Sequence, residues 1–265
     1  MMLGSISRIS IYNLVVAGGG VINGQGAKAW SKDCDNKPVD SKYFHVGIHQ
    51  CQSITVERLK ISAPGDSKNT DGVHISISNN ITLNSLSIGT GHGISIGSLG
   101  KYKDEQNVAH VMVKNSTVTG TTNGLRIKTW GGSPPSEAFN IKFEDIFVRN
   151  VSNPIIIDQA YCPGNVCNNE TSQVKISDVT FKNIHGTSNT PAAVQLQCSK
   201  AVPCKNINLN EINLQPLTSI VSSISSVCSN VLGTVLGFKN QIHASRNFTR
   251  GFPKINFFGV CVCVC

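Results

Sequence analysis

The chain has 265 residues, of which 14% are charged, 6% aromatic and 24 glycine, and its formal net charge is +8. This length can bury a sizeable core in one or two domains, and the balance of apolar and charged residues excludes a disordered chain. No apolar run reaches the roughly 18 residues of a membrane span, and no Lys/Arg-rich run or aromatic–basic motif marks a nucleic-acid module. The positive balance leaves an acidic polymer as a partner, or plain solubility.

Met1 to Ser10 carries one arginine, and the apolar stretch Ile9 to Ala17 is broken by Ser10, Tyr12 and Asn13. That is not the continuous core of a signal peptide. The protein is therefore either cytosolic or read without its true beginning. Ile9, Ile11 and Leu14-Val15 read as strand. Gly18 to Gly26 reads as tight turns around a strand; it is no dinucleotide fingerprint, since no strand–helix frame follows. The ten cysteines fall partly into local pairs. Cys34 and Cys51 flank a polar segment, Cys162 and Cys167 enclose a Pro-Gly loop, and Cys198 and Cys204 enclose another short loop. None has C-x-x-C spacing beside a histidine cluster, so small loop disulfides fit better than zinc, and no metal or cofactor is expected. Five sequons, at Asn80, Asn115, Asn150, Asn169 and Asn247, agree with a secreted protein.

From Cys51 onward the chain repeats itself. Alternating apolar segments begin at Ile54, Ile81, Val111, Ile141, Val174 and Ile207, in steps of 27, 30, 30, 33 and 33 residues. Second strands lie between them, beginning at Gly72, Gly93, Gly124, Pro154 and Ala193. No single repeat could bury its apolar face, but stacked coils could. The expected fold is all-β, a right-handed parallel β-helix, or solenoid. Asparagine near the turns fits, because it tolerates left-handed backbone and forms side-chain ladders. The L-x-x-L-x-L frame of leucine-rich repeats is absent, and a β-sandwich would show hairpin turns every 8–12 residues. Residues 1–230 are expected to form this single domain. Residues 231–265, ending in CVCVC, are expected to form a divergent tail.

The chemistry gathers between Asn69 and Lys101. NTDG at Asn69-Thr70-Asp71-Gly72 and Gly91-His92-Gly93 each precede an alternating strand. A carboxylate and an imidazole thus sit about one repeat apart. Arg126 and Lys128, at i and i+2, project from one strand face, and two cations there suit an anionic sugar. The structural alternatives are a solvated cationic face, a hydrogen-bonded turn histidine, an Asx turn at Asp71, and a tyrosine, Tyr161, packed beside the Cys162 loop.

At these residues the chain resembles the plant polygalacturonases, glycoside hydrolase family 28. NTDGVHIS, GHGISIGSLGK, NGLRIKTW and PIIIDQAYC stand in that family's order, and the similarity runs from about Ile6 to Val231. SKYFHV with APGDSKNTDG resembles the exopolygalacturonase branch. The resemblance implies cleavage of α-1,4 bonds between galacturonic acid units, with inversion, on a right-handed parallel β-helix. It implies Asp71 as a water-activating carboxylate and His92 as the active-site histidine. It implies Arg126 and Lys128 as ligands of a galacturonate carboxylate, and Tyr161 as a substrate contact. It also implies a secreted, cell-wall enzyme, acting as a monomer on pectin without cofactor, nucleic acid or membrane.

One departure changes the expected activity. The family places an Asp-Asp pair, GDDC, one coil before GHG, and here Ile88-Gly89-Thr90-Gly91 runs straight into His92-Gly93. Ile81 to Ile94 is 13 residues, against 14 for Val111 to Leu125 and for Ile141 to Ile155, so loss of a whole coil keeps an ordinary strand-to-strand distance. A second gap is expected between Pro38 and Val39. The chain is thus expected to be truncated at its start and to lack two internal coils. An inverting hydrolase needs an acid roughly 6.5–9.5 Å from the water-activating carboxylate, and loss of a general acid removes about 10²–10⁴-fold of rate. Asp66, the nearest spare carboxylate, precedes Asp71 in the same loop. The expectation is a polygalacturonase-type hydrolase with at most residual activity; the rival expectations are a non-catalytic pectin-binding β-helix and an unstable product.

Overall fold

The computed structural model describes residues 15–16, 20–23, 44–63, 70–163 and 170–237. Ile9, Cys34, Asp66, Cys167, Asn169, Asn247, the Pro38–Val39 junction and the CVCVC tail lie outside them. The described residues form a right-handed parallel β-helix whose strands stack into two long sheets. The smaller sheet holds Val46–His49, Asp71–Ser76, His92–Leu99, Asn123–Trp130, Asn153–Tyr161, Ala192–Gln197 and Ser225–Ser229. The larger sheet carries the long strands Val108–Thr119, Ser136–Val151, Val174–Ser188 and Cys204–Pro216.

The period-two alternation explains the core. In the smaller sheet, Ile48, Ile75, Ile96, Ile127, Ile157 and Leu196 stand in one column of rungs. In the larger sheet, Ile54, Ile81, Val111 and Ile141 do the same, and all of these side chains are buried. Each fully buried aliphatic side chain contributes about 1.5–3 kcal/mol. Phe143 and Phe181 stack face to face at 5.0 Å on successive coils. Beyond Ile141 the expected register is corrected: Ile141 pairs with Val179, not Val174, and Val174 pairs with Ser136. The strands Ser136–Val151 and Val174–Ser188 both begin several residues ahead of the shared rung, and their leading ends alternate too. The solenoid also runs past the expected boundary at 230, because Val231–Leu236 pairs with Cys204–Pro216.

Asparagine makes the expected ladder near the start of the larger sheet's strands. Asn80, His110, Asn140, Asp178 and Asn206 all have φ between 52° and 58°, a region that Asn, Asp and His enter more readily than other L residues. Asn80 donates to Ser53 at 3.0 Å and Asn206 to Asp178 at 2.7 Å, so these two corner side chains are fastened to the coil below.

The stack is continuous where a coil was expected to be missing. Asp71 and His92 are rung partners, and the His92 amide donates to the Thr70 carbonyl at 2.9 Å. Their separation is 21 residues, against 27 for His49 and Ser76 below and 31 for Ser95 and Arg126 above. The glycines after Asp71 and His92 permit this approach. A Cβ on Gly72 would lie 2.4 Å from Ile88 Cγ2 and 3.1 Å from the Gly93 carbonyl oxygen, and one on Gly93 would lie 2.4 Å from that of Gly124. Cys198 and Cys204 form a disulfide, whereas Cys51 is a free thiol.

Candidate active site

The outer face of the smaller sheet carries the polar side chains that the core leaves over. Register places His74 beside Ser95 and Ser95 beside Arg126, while Lys128 lies beside Asp158 on the next strand. Asp71 is at the centre and only 2% exposed. Its Oδ1 accepts hydrogen bonds from His92 Nδ1 and from Arg126 Nη2, both at 2.8 Å. The Arg126 Nε donates to Ser95 Oγ at 2.9 Å. Lys128 Nζ is 3.9 Å from Asp71 Oδ2, and His74 Nδ1 is 3.7 Å from it. These are electrostatic neighbours beyond hydrogen-bond length. Oδ2 itself is buried and accepts no hydrogen bond among the described residues.

Four of the five expected site residues therefore meet directly: Asp71, His92, Arg126 and Lys128. The fifth, Tyr161, joins through Lys128, whose Nζ is 4.6 Å from the ring centroid. Two features differ from expectation. Arg126 is already held through two of its nitrogens, which limits the fork it can offer a substrate carboxylate. His92 donates its Nδ1 proton to an ionised acceptor, so in the neutral ring Nε2 is the open acceptor.

Three further residues belong to this face. His74 is buried against Asp71 and stacks on Phe44, with ring centroids 3.7 Å apart. Ser95 orients Arg126. Asp158 accepts a hydrogen bond from the Ala160 amide at 2.9 Å beside Lys128. The alternation in VHIS and PIIID would have turned His74 and Asp158 outward. What makes them part of the site is their neighbours: Asp71 on the same strand and Phe44 for His74, and Lys128 on the next strand for Asp158.

The ionisation states follow from burial and charge. Burial alone would raise the Asp71 pKa, but the imidazoles of His74 and His92 and the charges of Arg126 and Lys128 outweigh it and hold the carboxylate far below its usual range. Asp71 is thus held as an anion and cannot serve as a proton donor. Burial, then the neighbouring Arg126 charge, lowers Lys128 to about 8. Burial also lowers His74 and His92, with Asp71 opposing in both. Asp158 is shifted upward by burial, against the Ala160 amide and the nearby cations.

Acid sensitivity follows. A histidine with a depressed pKa takes up its proton more readily unfolded than folded, so its stabilisation is present above about 6.5 and is lost as pH falls below that value. His74 and His92 act in this direction, and Asp71 extends the loss below its usual 3.8. Asp158 opposes them, since a raised carboxyl pKa favours the fold in acid. The melting temperature is expected to fall between pH 7 and pH 5, and His74→Asn is expected to make that fall shallower. An unchanged slope in the variant would remove His74 from this account.

The comparisons follow this geometry. The model of Glycosyl hydrolases family 28 matches residues 37–90 and 79–236. The chain is 41% identical to an exopolygalacturonase of Oenothera organensis over 285 positions, covering 89% of this chain and 78% of that protein. It is 40% identical to a polygalacturonase of Gossypium barbadense, covering 89% and 70%. Among solved structures it resembles an endo-xylogalacturonan hydrolase from Aspergillus tubingensis, with a TM-score of 0.53 and 22% identity over 86% of this chain and 77% of that one. It also resembles a hyperthermoactive exopolygalacturonase from Thermotoga maritima, with a TM-score of 0.50 and 16% identity over 82% and 52%. The two structures support the fold. The first stretch of the family match ends at residue 90, and the second begins at residue 79 and runs on through Gly91-His92. The Oenothera alignment has more positions than 89% of this chain has residues, so it contains internal gaps on this side. On its matched residues and on its relatives, the chain belongs to glycoside hydrolase family 28.

Proposed function

We propose that this chain is a galacturonan-directed hydrolase of its family that binds the polymer through a cationic groove and turns it over slowly. The observation that carries this reading is the convergence of Arg126, Lys128 and His92 on the buried Asp71 carboxylate, on the outer sheet face of a β-helix. In this reading Asp71 Oδ2, the oxygen without a hydrogen bond, accepts the proton of the attacking water. Lys128 is the freer of the two cations and receives a uronate carboxylate, with the Tyr161 ring beneath a sugar face. His92 orients Asp71 through Nδ1 and presents Nε2 to the substrate.

Turnover is slow because inversion needs a second carboxyl as proton donor, and the Asp-Asp coil that supplies it in the family is absent. The sequences of the relatives named above support galacturonan as the polymer. The Cys198–Cys204 disulfide supports an oxidising, extracellular setting.

Purified protein is expected to bind polygalacturonate and to release reducing ends at least about 10²-fold more slowly than a full-length family member. Lys128→Met is expected to weaken the binding. Turnover equal to that of the relative would contradict the missing acid, and no binding at all would contradict the galacturonan reading.

A further inference from the structure

A second cation lies between aromatic rings just beyond the groove. Arg126, Lys128 and Trp130 follow one another at i, i+2 and i+4, so they share the outer face, while Thr129 between them is fully buried. Trp130 meets Tyr161 edge to face, with centroids 5.5 Å apart. Over Trp130 lies Lys101, with Nζ 5.4 Å from its ring centroid and 5.5 Å from that of Tyr102.

The loop that brings Lys101 there is built for its position. The turn at Gly100 has φ +75°, and a Cβ there would lie 2.3 Å from the Ser133 Cβ. The amides of Lys101 and Tyr102 both donate to Glu105 Oε2, at 3.0 and 3.3 Å. Glu105 thus spends that oxygen on the backbone, and no carboxylate among the described residues pairs with Lys101 Nζ. Tyr102 is 64% exposed, although nothing in the fold requires a large ring there.

We propose that Lys101, Tyr102 and Trp130 form an outer subsite for a further uronate unit of the same polymer strand. The reading rests on galacturonan as the ligand. A polyuronide presents one carboxylate and one apolar ring face per sugar. The protein presents the matching repeat: Lys128 with Tyr161 inside, then Lys101 with Trp130 and Tyr102 outside. The Trp130–Tyr161 contact joins the two pairs. An ammonium beside an aromatic platform takes both parts of such a unit, the charge by ion pairing and the ring face by stacking.

The test measures affinity against oligomer length by titration calorimetry, using di- and hexagalacturonate. Lys101→Met is expected to weaken hexamer binding about tenfold, the scale of one charge-assisted contact, and to leave dimer binding unchanged. Lys128→Met is expected to weaken both. Lys103→Met, which removes an exposed charge two residues away, is expected to change neither. Hexamer binding unchanged in Lys101→Met overturns the subsite alone. Equal losses in the Lys101 and Lys103 variants also overturn it, because they indicate general charge attraction. Failure of the parent chain to bind either oligomer contradicts the galacturonan reading, and the subsite with it.

Discussion

Asp71→Asn is expected to lower the unfolding free energy by about 3–5 kcal/mol, the usual cost of removing one member of a buried ion pair. The substitution keeps the shape and one hydrogen-bond acceptor, so the effect isolates the charge. Arg126 is 6% exposed and Lys128 is equally enclosed. Without Asp71, two cations stay close together with their nearest anion gone. The cost comes mainly from the cations left unpaired. The double variant Asp71→Asn, Arg126→Met is therefore expected to recover a large part of the loss, since neighbours in one network are not additive. Urea unfolding of both variants checks this. A single-variant loss below about 1 kcal/mol, or a double variant that simply sums two losses, would show that the cluster is not a coupled ion network.

The same cluster shows what a sequence can carry and what it cannot. Ile54, Ile81, Val111 and Ile141 were legible as rungs because alternation at period two fixes which residues face inward. The next rung was misplaced at Val174. In a strand as long as Val174–Ser188, alternation says which side chains point in but not which of them opens the coil. The left-handed pair Asn140 and Asp178 marks the corners, and Ile141 and Val179 follow directly, so the corner rather than the apolar run sets the register.

In the site, Arg126 and Lys128 were legible as a pair because both stand on one strand. Asp71 and His92 carried family motifs. His74 and Asp158 were not singled out, although their outward direction follows from the same alternation. Their meaning depends on partners the alternation does not name: Phe44 and Asp71 for His74, and Lys128 on the neighbouring strand for Asp158. Nor could composition show that Arg126 is held by Asp71 and Ser95. That engagement follows from the short step between Asp71 and His92, which brings the carboxylate into direct contact with the guanidinium.

Restoring the absent coil is the second change with a large expected effect. In a solenoid each coil touches chiefly its neighbours, so one coil inserted between Gly91 and His92 should extend the stack rather than disrupt it. The insert is the coil bearing the Asp-Asp pair of a family member. It would move His92 and Arg126 one rung away from Asp71 and release both from it. It would also supply a carboxyl able to protonate the leaving oxygen. A positioned general acid contributes about 10²–10⁴-fold, and that is the gain expected in turnover. The direct measurement is reducing-end release from polygalacturonate by the parent chain and by the coil-restored chain, side by side, at equal folded concentration. A gain of about 10²-fold or more in the restored chain is the predicted result. Equal rates in two folded proteins would contradict the claim that the parent lacks its proton donor.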